Sequence, residues 1–382
     1  MNRSERVTQN PNANEQLLYF TSTSLTDDDS RLIFISDRTG HPNLFNRDIL
    51  SGEERQLTSN NEGFLKSYVY FDGYPYRGFG KASTSFHAPS STLYYIQGRE
   101  IRKIDADGDE RTLAEYPDGQ MTAFTHISAD GRRLCVPTTD EYVLDGRNLL
   151  TGRPDYNIDE RVQQEGLSSF LRVFDTDTGV EILCEEVKKC WITHVQFSPN
   201  NPNLILYNHE WPSDCGIRRM WLFDGINHIR LRTENKDRSR EDWTSHEMWE
   251  RDGSAIIYHG KLSSGVPYIG RVRVDGSAIQ EIKLSTGCNR YGHFTVGKAN
   301  VLVTDGYYGE EGDKDTVGGD WICRLDVNWE KCKINLTPLC RNSSSWTSQD
   351  AHPHPIIDHA SQFVYFTSDI EGKRAVYRVP LV

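Results

Sequence analysis

Residues 363–377 read FVYFTSDIEGKRAVY, and residues 32–45 read LIFISDRTGHPNLF. Both stretches run apolar strand, Ser-Asp, two residues, Gly, strand. That order predicts an antiparallel hairpin whose turn carries the glycine. Five more short β-rich runs lie between them, at Leu93 to Ile96, Leu134 to Val136, Leu204 to Tyr207, Ala255 to Tyr258, and Val301 to Val303. With Leu32 to Ile35 and Phe363 to Phe366 this makes seven, recurring at a mean spacing of about 55 residues, the length of one multi-stranded propeller blade. The reading is an all-β, seven-bladed β-propeller forming a single domain over residues 1–382. The apolar QLLYFTS run, Gln16 to Ser22, is the expected strand that closes the last blade.

Composition agrees with this class. The chain has 382 residues, 36% hydrophobic and 11% aromatic, with 30 Gly and 15 Pro, which favours short core segments and frequent turns. Its formal net charge is −12, a field that repels polyanions and argues against nucleic-acid binding. An acidic ligand therefore needs a local cationic pocket. The N-terminal residues lack the apolar core of a secretory signal, and no run is long enough to span a membrane. A soluble protein located in the cytoplasm is expected, a monomer or weak homo-oligomer without a membrane partner. Eight scattered cysteines without a C-x-x-C pair read as reduced thiols. The longest gap between runs contains a polar stretch, residues 140–168, expected as an insertion over one rim.

Histidines recur at matching places in the repeat. His126, His293 and His354 lie four residues before Asp130, Gly297 and Asp358, while His246 and His352 lie six before Asp252 and Asp358. Even offsets place strand side chains on one face, so the repeat is expected to aim these imidazoles at one mouth of the channel. Proline between His352 and His354 favours an extended backbone with both rings on one side. His209 and Glu210 follow one second strand and Arg219 precedes the third, so they are expected at the same mouth. His126 and His194 read equally well as packed histidines, and Arg219 as a guanidinium paired with a carboxylate.

The stretches YNHEWP (207–212), RRMWLFDG (218–225), TSHEMWERDGSAIIY (244–258) and QDAHPHP (349–355) with FTSDIEG (366–372) resemble the signature segments of oligogalacturonate lyases. The resemblance is densest from about His194 to the C-terminus. It implies a seven-bladed propeller that cleaves short pectin fragments by β-elimination in the cytoplasm. It implies metal ligation by His293, Gln349, His352 and His354, with His246 as general base. Arg219 is implied to engage the substrate, with Arg218 and His209 beside it. The implied metal is Mn²⁺, whereas an imidazole-rich donor set on its own suits zinc, iron, nickel or copper. Two departures stand out: Trp211 occupies the place of a family glycine, and His293 sits in YGHF. Other readings of the same residues are a lyase for a different uronate-containing oligosaccharide, a metal-assisted propeller hydrolase, and a non-catalytic binding propeller.

Overall fold

In a computed structural model the described residues are 3–70, 78–105, 108–141, 166–210, 219–232, 243–262, 264–284, 292–306 and 321–382. They form seven antiparallel sheets, the blades of an all-β seven-bladed β-propeller. Each apolar run recognised in the sequence falls in the second strand of its own sheet: Arg31–Ser36, Thr92–Gln97, Arg133–Asp140, Ile205–Asn208, Ala255–Lys261, Val301–Thr304 and Phe363–Ser368. Within the sheets, each pairing joins strands consecutive or nearly so in the chain, except in the seventh, where a strand from the N-terminus pairs with the last strand of the chain. Both end hairpins form as expected, joining Arg31–Ser36 to Asn43–Asp48 and Phe363–Ser368 to Ala375–Pro380.

The second strands are apolar without alternation because both of their faces are covered. The chain divides into two compact units, residues 1–38, 46–55 and 231–382 in one, residues 39–45 and 56–230 in the other. In the first, Ile257, Ile269, Phe294, Leu302 and Leu325 pack between the fifth and sixth sheets, and Val303, Ile322, Val364, Phe366 and Val379 between the sixth and seventh. In the second, Ile96, Ile101, Leu134 and Val136 join the second and third sheets, and Val173, Val195, Phe197 and Ile205 the third and fourth. Among the described residues no helix is long and apolar enough to cross a membrane. The six described cysteines are free, four of them buried; burial pushes the Cys340 thiol up to about 12.

Closure of the last sheet corrects one expectation. The added strand is Glu5–Arg6, which pairs with Ala375–Pro380 in the register Glu5 to Arg378 and Arg6 to Tyr377. The QLLYFTS run instead supplies the innermost strand of the first sheet, Glu15–Leu17, followed by buried Leu18, Tyr19 and Phe20. Glu5–Arg6 is too short and polar to announce itself as a strand. Its register is held by partners beyond it: Val7 N–H donates to the Val376 carbonyl at 2.7 Å, and Val376 N–H donates to Thr8 Oγ1 at 3.0 Å. The insertion expected over residues 140–168 joins Arg133–Asp140 to Ser168–Asp175, and its residues 142–165 lie outside the described ones.

Thr8 is fully buried, so Thr8→Ala leaves the Val376 N–H without its acceptor. The expected loss is about 1–3 kcal/mol of stability, read from the midpoint of urea unfolding.

Candidate metal centre

His293 immediately precedes Phe294–Val296, the innermost strand of the sixth sheet, and is tied to the second strand by the Asp305 N–H donating to its carbonyl at 3.2 Å. His352 and His354 precede Ile356–Ile357, the innermost strand of the seventh. The ligand nitrogens of these three histidines all lie within 4.8 Å of one another. Ring centroids are 4.1 Å apart for His293 and His354, 5.2 Å for His293 and His352, and 5.8 Å for His352 and His354. Two neighbouring sheets thus bring together three of the four residues read as metal ligands.

The donor set fits a divalent transition ion. Imidazole binds such ions through an unprotonated nitrogen, and its other nitrogen normally donates to a fixed acceptor. His293 meets that condition: its Nδ1 lies 2.9 Å from Oδ2 of the buried Asp305. A carboxylate oxygen accepts, so Nδ1 carries the proton and Nε2 is left as the donor atom. The same Asp305 Oδ2 accepts the backbone N–H of His354 at 3.2 Å. Asp305 was not singled out in the sequence. Its only signal there is position, one residue past the second-strand run Val301–Thr304.

His246 stands beside the cluster, its ring centroid 4.4 Å from that of His293. Its Nδ1 faces His259 Nε2 at 2.7 Å and the Gly292 carbonyl at 3.3 Å. The carbonyl can only accept, which assigns the proton to Nδ1 and leaves Nε2 of His246 able to take a proton. His259, on the second strand Ala255–Lys261, is a further residue missed in the sequence. Tyr19 and Phe20 wall this group. Tyr19 lies 4.7 Å from His354, while Phe20 lies 5.2 Å from His293, stacks on His354 at 5.7 Å and meets His246 edge-on at 5.8 Å. Trp346 covers His352 at 4.8 Å. Such walls exclude water and strengthen charge interactions inside them.

The route to this convergence differs from plain strand alternation. His246 and His354 both have φ near +50, at 50° and 47°, and the pairing of the fifth sheet shifts register between Ser245 and Met248. The backbone is therefore turned locally at both positions, and His352-Pro-His354 is not a uniformly extended segment. Gln349 begins the one-turn 3-10 helix Gln349–Ala351, is exposed, and accepts the His352 N–H on its backbone carbonyl at 3.4 Å.

The remaining residues read as functional belong to the other unit. Arg219 NH1 donates to Glu210 at 3.1 Å, and its NH2 lies 3.4 Å from His194 Nδ1. Glu210 also accepts from the Thr193 hydroxyl at 2.6 Å and from the Asn208 amide. Burial alone would raise the Glu210 pKa, but Arg219, His194 and Thr193 together hold it well below the usual carboxylate range. His194 itself stacks on Phe124 at 3.9 Å. The carboxylate pairing anticipated for Arg219 is thus present.

His209 stacks on Trp221 at 4.8 Å. Burial, then the charges of His228 and Arg230, lower its pKa to about 3, so the ring is neutral. His126 serves the fold, its Nδ1 accepting the Phe197 N–H at 3.1 Å. Arg218 and Trp211 lie outside the described residues.

Comparison with known proteins agrees with this architecture. The chain is 25% identical over 380 residues to an oligogalacturonide lyase of Pectobacterium atrosepticum, covering 94% of this chain and 88% of that protein. It is 26% identical over 381 residues to an oligogalacturonate lyase of Dickeya dadantii, with the same coverage of each. A solved structure of an oligogalacturonate lyase in complex with manganese has the same fold, with TM-score 0.79 and 20% identity, over 100% of this chain and 93% of that one. The family model described as oligogalacturonate lyase matches residues 93–382, and the chain belongs to that family.

Proposed function

We propose that this protein is a Mn²⁺-dependent lyase that cleaves short oligogalacturonates by β-elimination, leaving a 4,5-unsaturated uronate on the product. The observation that carries the reading is the cluster of His293, His352 and His354 in a chain of the oligogalacturonate lyase family. The reading extends to pectin-fragment degradation in the cytoplasm, which rests on the family resemblance. His293, His352 and His354 would hold the ion, with the Gln349 side-chain amide as fourth protein ligand. Bound there, a divalent ion supplies Lewis-acid polarisation of the substrate's carboxylate, which makes the adjacent C5 proton acidic.

The chain's own residues carry the proton chemistry. His246 takes the C5 proton on Nε2; the electron pair of the C5–H bond becomes the C4–C5 double bond as the C4–O bond breaks with its electron pair, and the departing oxygen takes a proton from solvent water, whose hydroxide is neutralised when the His246 imidazolium gives up its proton. The 2.7 Å contact of His246 Nδ1 with His259 keeps the ring in the tautomer that the step needs and accepts its N–H when the ring becomes imidazolium. Arg219 is assigned to grip a substrate carboxylate, with its guanidinium oriented by Glu210. Arg218 and His209 are assigned to substrate binding. A planar bidentate donor suits a carboxylate better than an ammonium point charge does.

Chelation is expected to abolish turnover of digalacturonate and trigalacturonate, and added Mn²⁺ to restore it. The readout is rising ultraviolet absorbance from the double bond conjugated with the carboxylate. A chain that produced no such rise with either substrate would not be this lyase. The His352→Ala, His354→Ala double variant is expected to lose stoichiometric metal, measured by elemental analysis. His246→Ala is expected to keep it while losing roughly 10²- to 10⁴-fold in rate.

Arg219→Lys is expected to lower activity with the fold intact. Arg219→Ala strands the buried Glu210 carboxylate and is expected to cost about 3–5 kcal/mol in denaturant unfolding. Because the Glu210 pKa is depressed in the folded chain, the pair contributes fully above the unfolded carboxylate pKa. That contribution is lost only as pH falls through the lower folded value, so the Arg219→Ala penalty should shrink in strong acid.

A further inference from the structure

Asp305 is fully buried one layer behind the histidine cluster, and its two oxygens have different surroundings. Oδ2 accepts from His293 Nδ1 at 2.9 Å and from the His354 backbone N–H at 3.2 Å. It thereby joins a side chain of the sixth sheet to the main chain of the seventh. Oδ1 fills the space above Gly292: a Cβ placed on that glycine would lie 1.7 Å from it. Gly292 is therefore required by the carboxylate, and its own carbonyl faces His246 Nδ1 at 3.3 Å.

The blade repeat makes Asp305 distinctive. Opposite the inner strand, five second strands bring a polar residue to the corresponding place: Ser36 opposite Glu15, Asn208 opposite His194, His259 opposite Ser245, Asp305 opposite His293, and Thr367 tied to Pro353. Each can brace the inner strand by hydrogen bonding. Of the five, only Asp305 is a carboxylate, and it stands where the inner residue is a metal-ligand candidate.

We propose that Asp305, seated in the space that Gly292 leaves open, is the positioning residue of the metal centre. It fixes the proton of His293 on Nδ1 and holds the left-handed His354 backbone, so that both imidazoles present donor nitrogens before the ion arrives. Its negative charge, placed behind the ligands, offsets part of the ion's charge without occupying a coordination position. The inference rests on the metal-dependent reading above and adds to it a residue that touches neither ion nor substrate.

The test uses the full chain, stripped of metal and titrated with MnCl₂ by calorimetry. Asp305→Asn keeps the volume and an acceptor oxygen but removes the charge; it is expected to weaken Mn²⁺ binding by roughly 10- to 100-fold while the metal-free variant still melts cooperatively. The Mn²⁺ concentration for half-maximal activation should rise in parallel, with KM for digalacturonate at saturating Mn²⁺ little changed. Gly292→Ala keeps the charge but displaces the carboxylate, and is expected to show the same defect, so the inference stays testable if one variant misfolds.

Mn²⁺ affinity within about threefold of wild type in a folded Asp305→Asn chain, against the factor expected of such partners, overturns the inference. If the His352→Ala, His354→Ala variant meanwhile binds no Mn²⁺, the metal site itself stands. A wild-type chain that binds no Mn²⁺ overturns both.

Discussion

The second strands in this fold are covered on both faces, and that burial governs what the residues at or near their ends are allowed to be. A strand sealed by apolar neighbours can end only where its polar backbone groups still have partners. Here the partner is the inner strand, reached through main-chain bonds such as Asn208 N–H to the His194 carbonyl and Asp305 N–H to the His293 carbonyl. The side chain at that place is delivered beside the inner residue in a region without bulk water. It must hydrogen-bond there, since an unsatisfied buried polar group costs about 1–3 kcal/mol. In five of its blades the scaffold thus creates a position where a braced polar pair is favoured, and a histidine on the inner strand becomes an oriented histidine.

Orientation is also where the backbone departs from its easiest path. His246 and His354 occupy the left-handed region, which costs a residue with a Cβ roughly 1–2 kcal/mol. Such conformations persist when their surroundings over-determine them. At His354 the Asp305 carboxylate accepts the N–H while Tyr19 and Phe20 pack against the ring. At His246 the constraints are His259, the Gly292 carbonyl and the edge of Phe20. Both unfavourable backbones belong to residues whose rings adjoin His293, so the local cost accompanies the presentation of imidazole nitrogens.

Much of this was legible in the sequence, for reasons that also explain what was not. A run such as Leu32 to Ile35 declares a buried strand by composition alone, and seven such runs recurring at a mean spacing of about 55 residues declare the blades. The histidines were legible through their distances from turn residues, because the repeat converts sequence offsets into places in a sheet. Strand alternation was the wrong physical account of their convergence, since the register shift beside His246 and the turned backbone at His354 break the period of two. Glu5–Arg6 escaped notice because two polar residues carry no strand pattern; only pairing with Ala375–Pro380 makes them one. Asp305 and His259 escaped for another reason: a lone polar residue after an apolar run looks like the start of a loop. Only the strand opposite reveals it as a brace.

The placing of negative charge connects the two polar clusters of a chain whose net charge is −12. A carboxylate facing an anionic sugar would repel it, whereas one buried behind a cationic or metal-binding group attracts that group and leaves its outward side for the ligand. Glu210 stands in this relation to Arg219, and Asp305 to His293. Both are nearly or fully buried, and each acts through hydrogen bonds that set an angle as well as through charge. In an acidic chain these two carboxylates are thus set one layer back, where one holds a guanidinium plane and the other an imidazole tautomer.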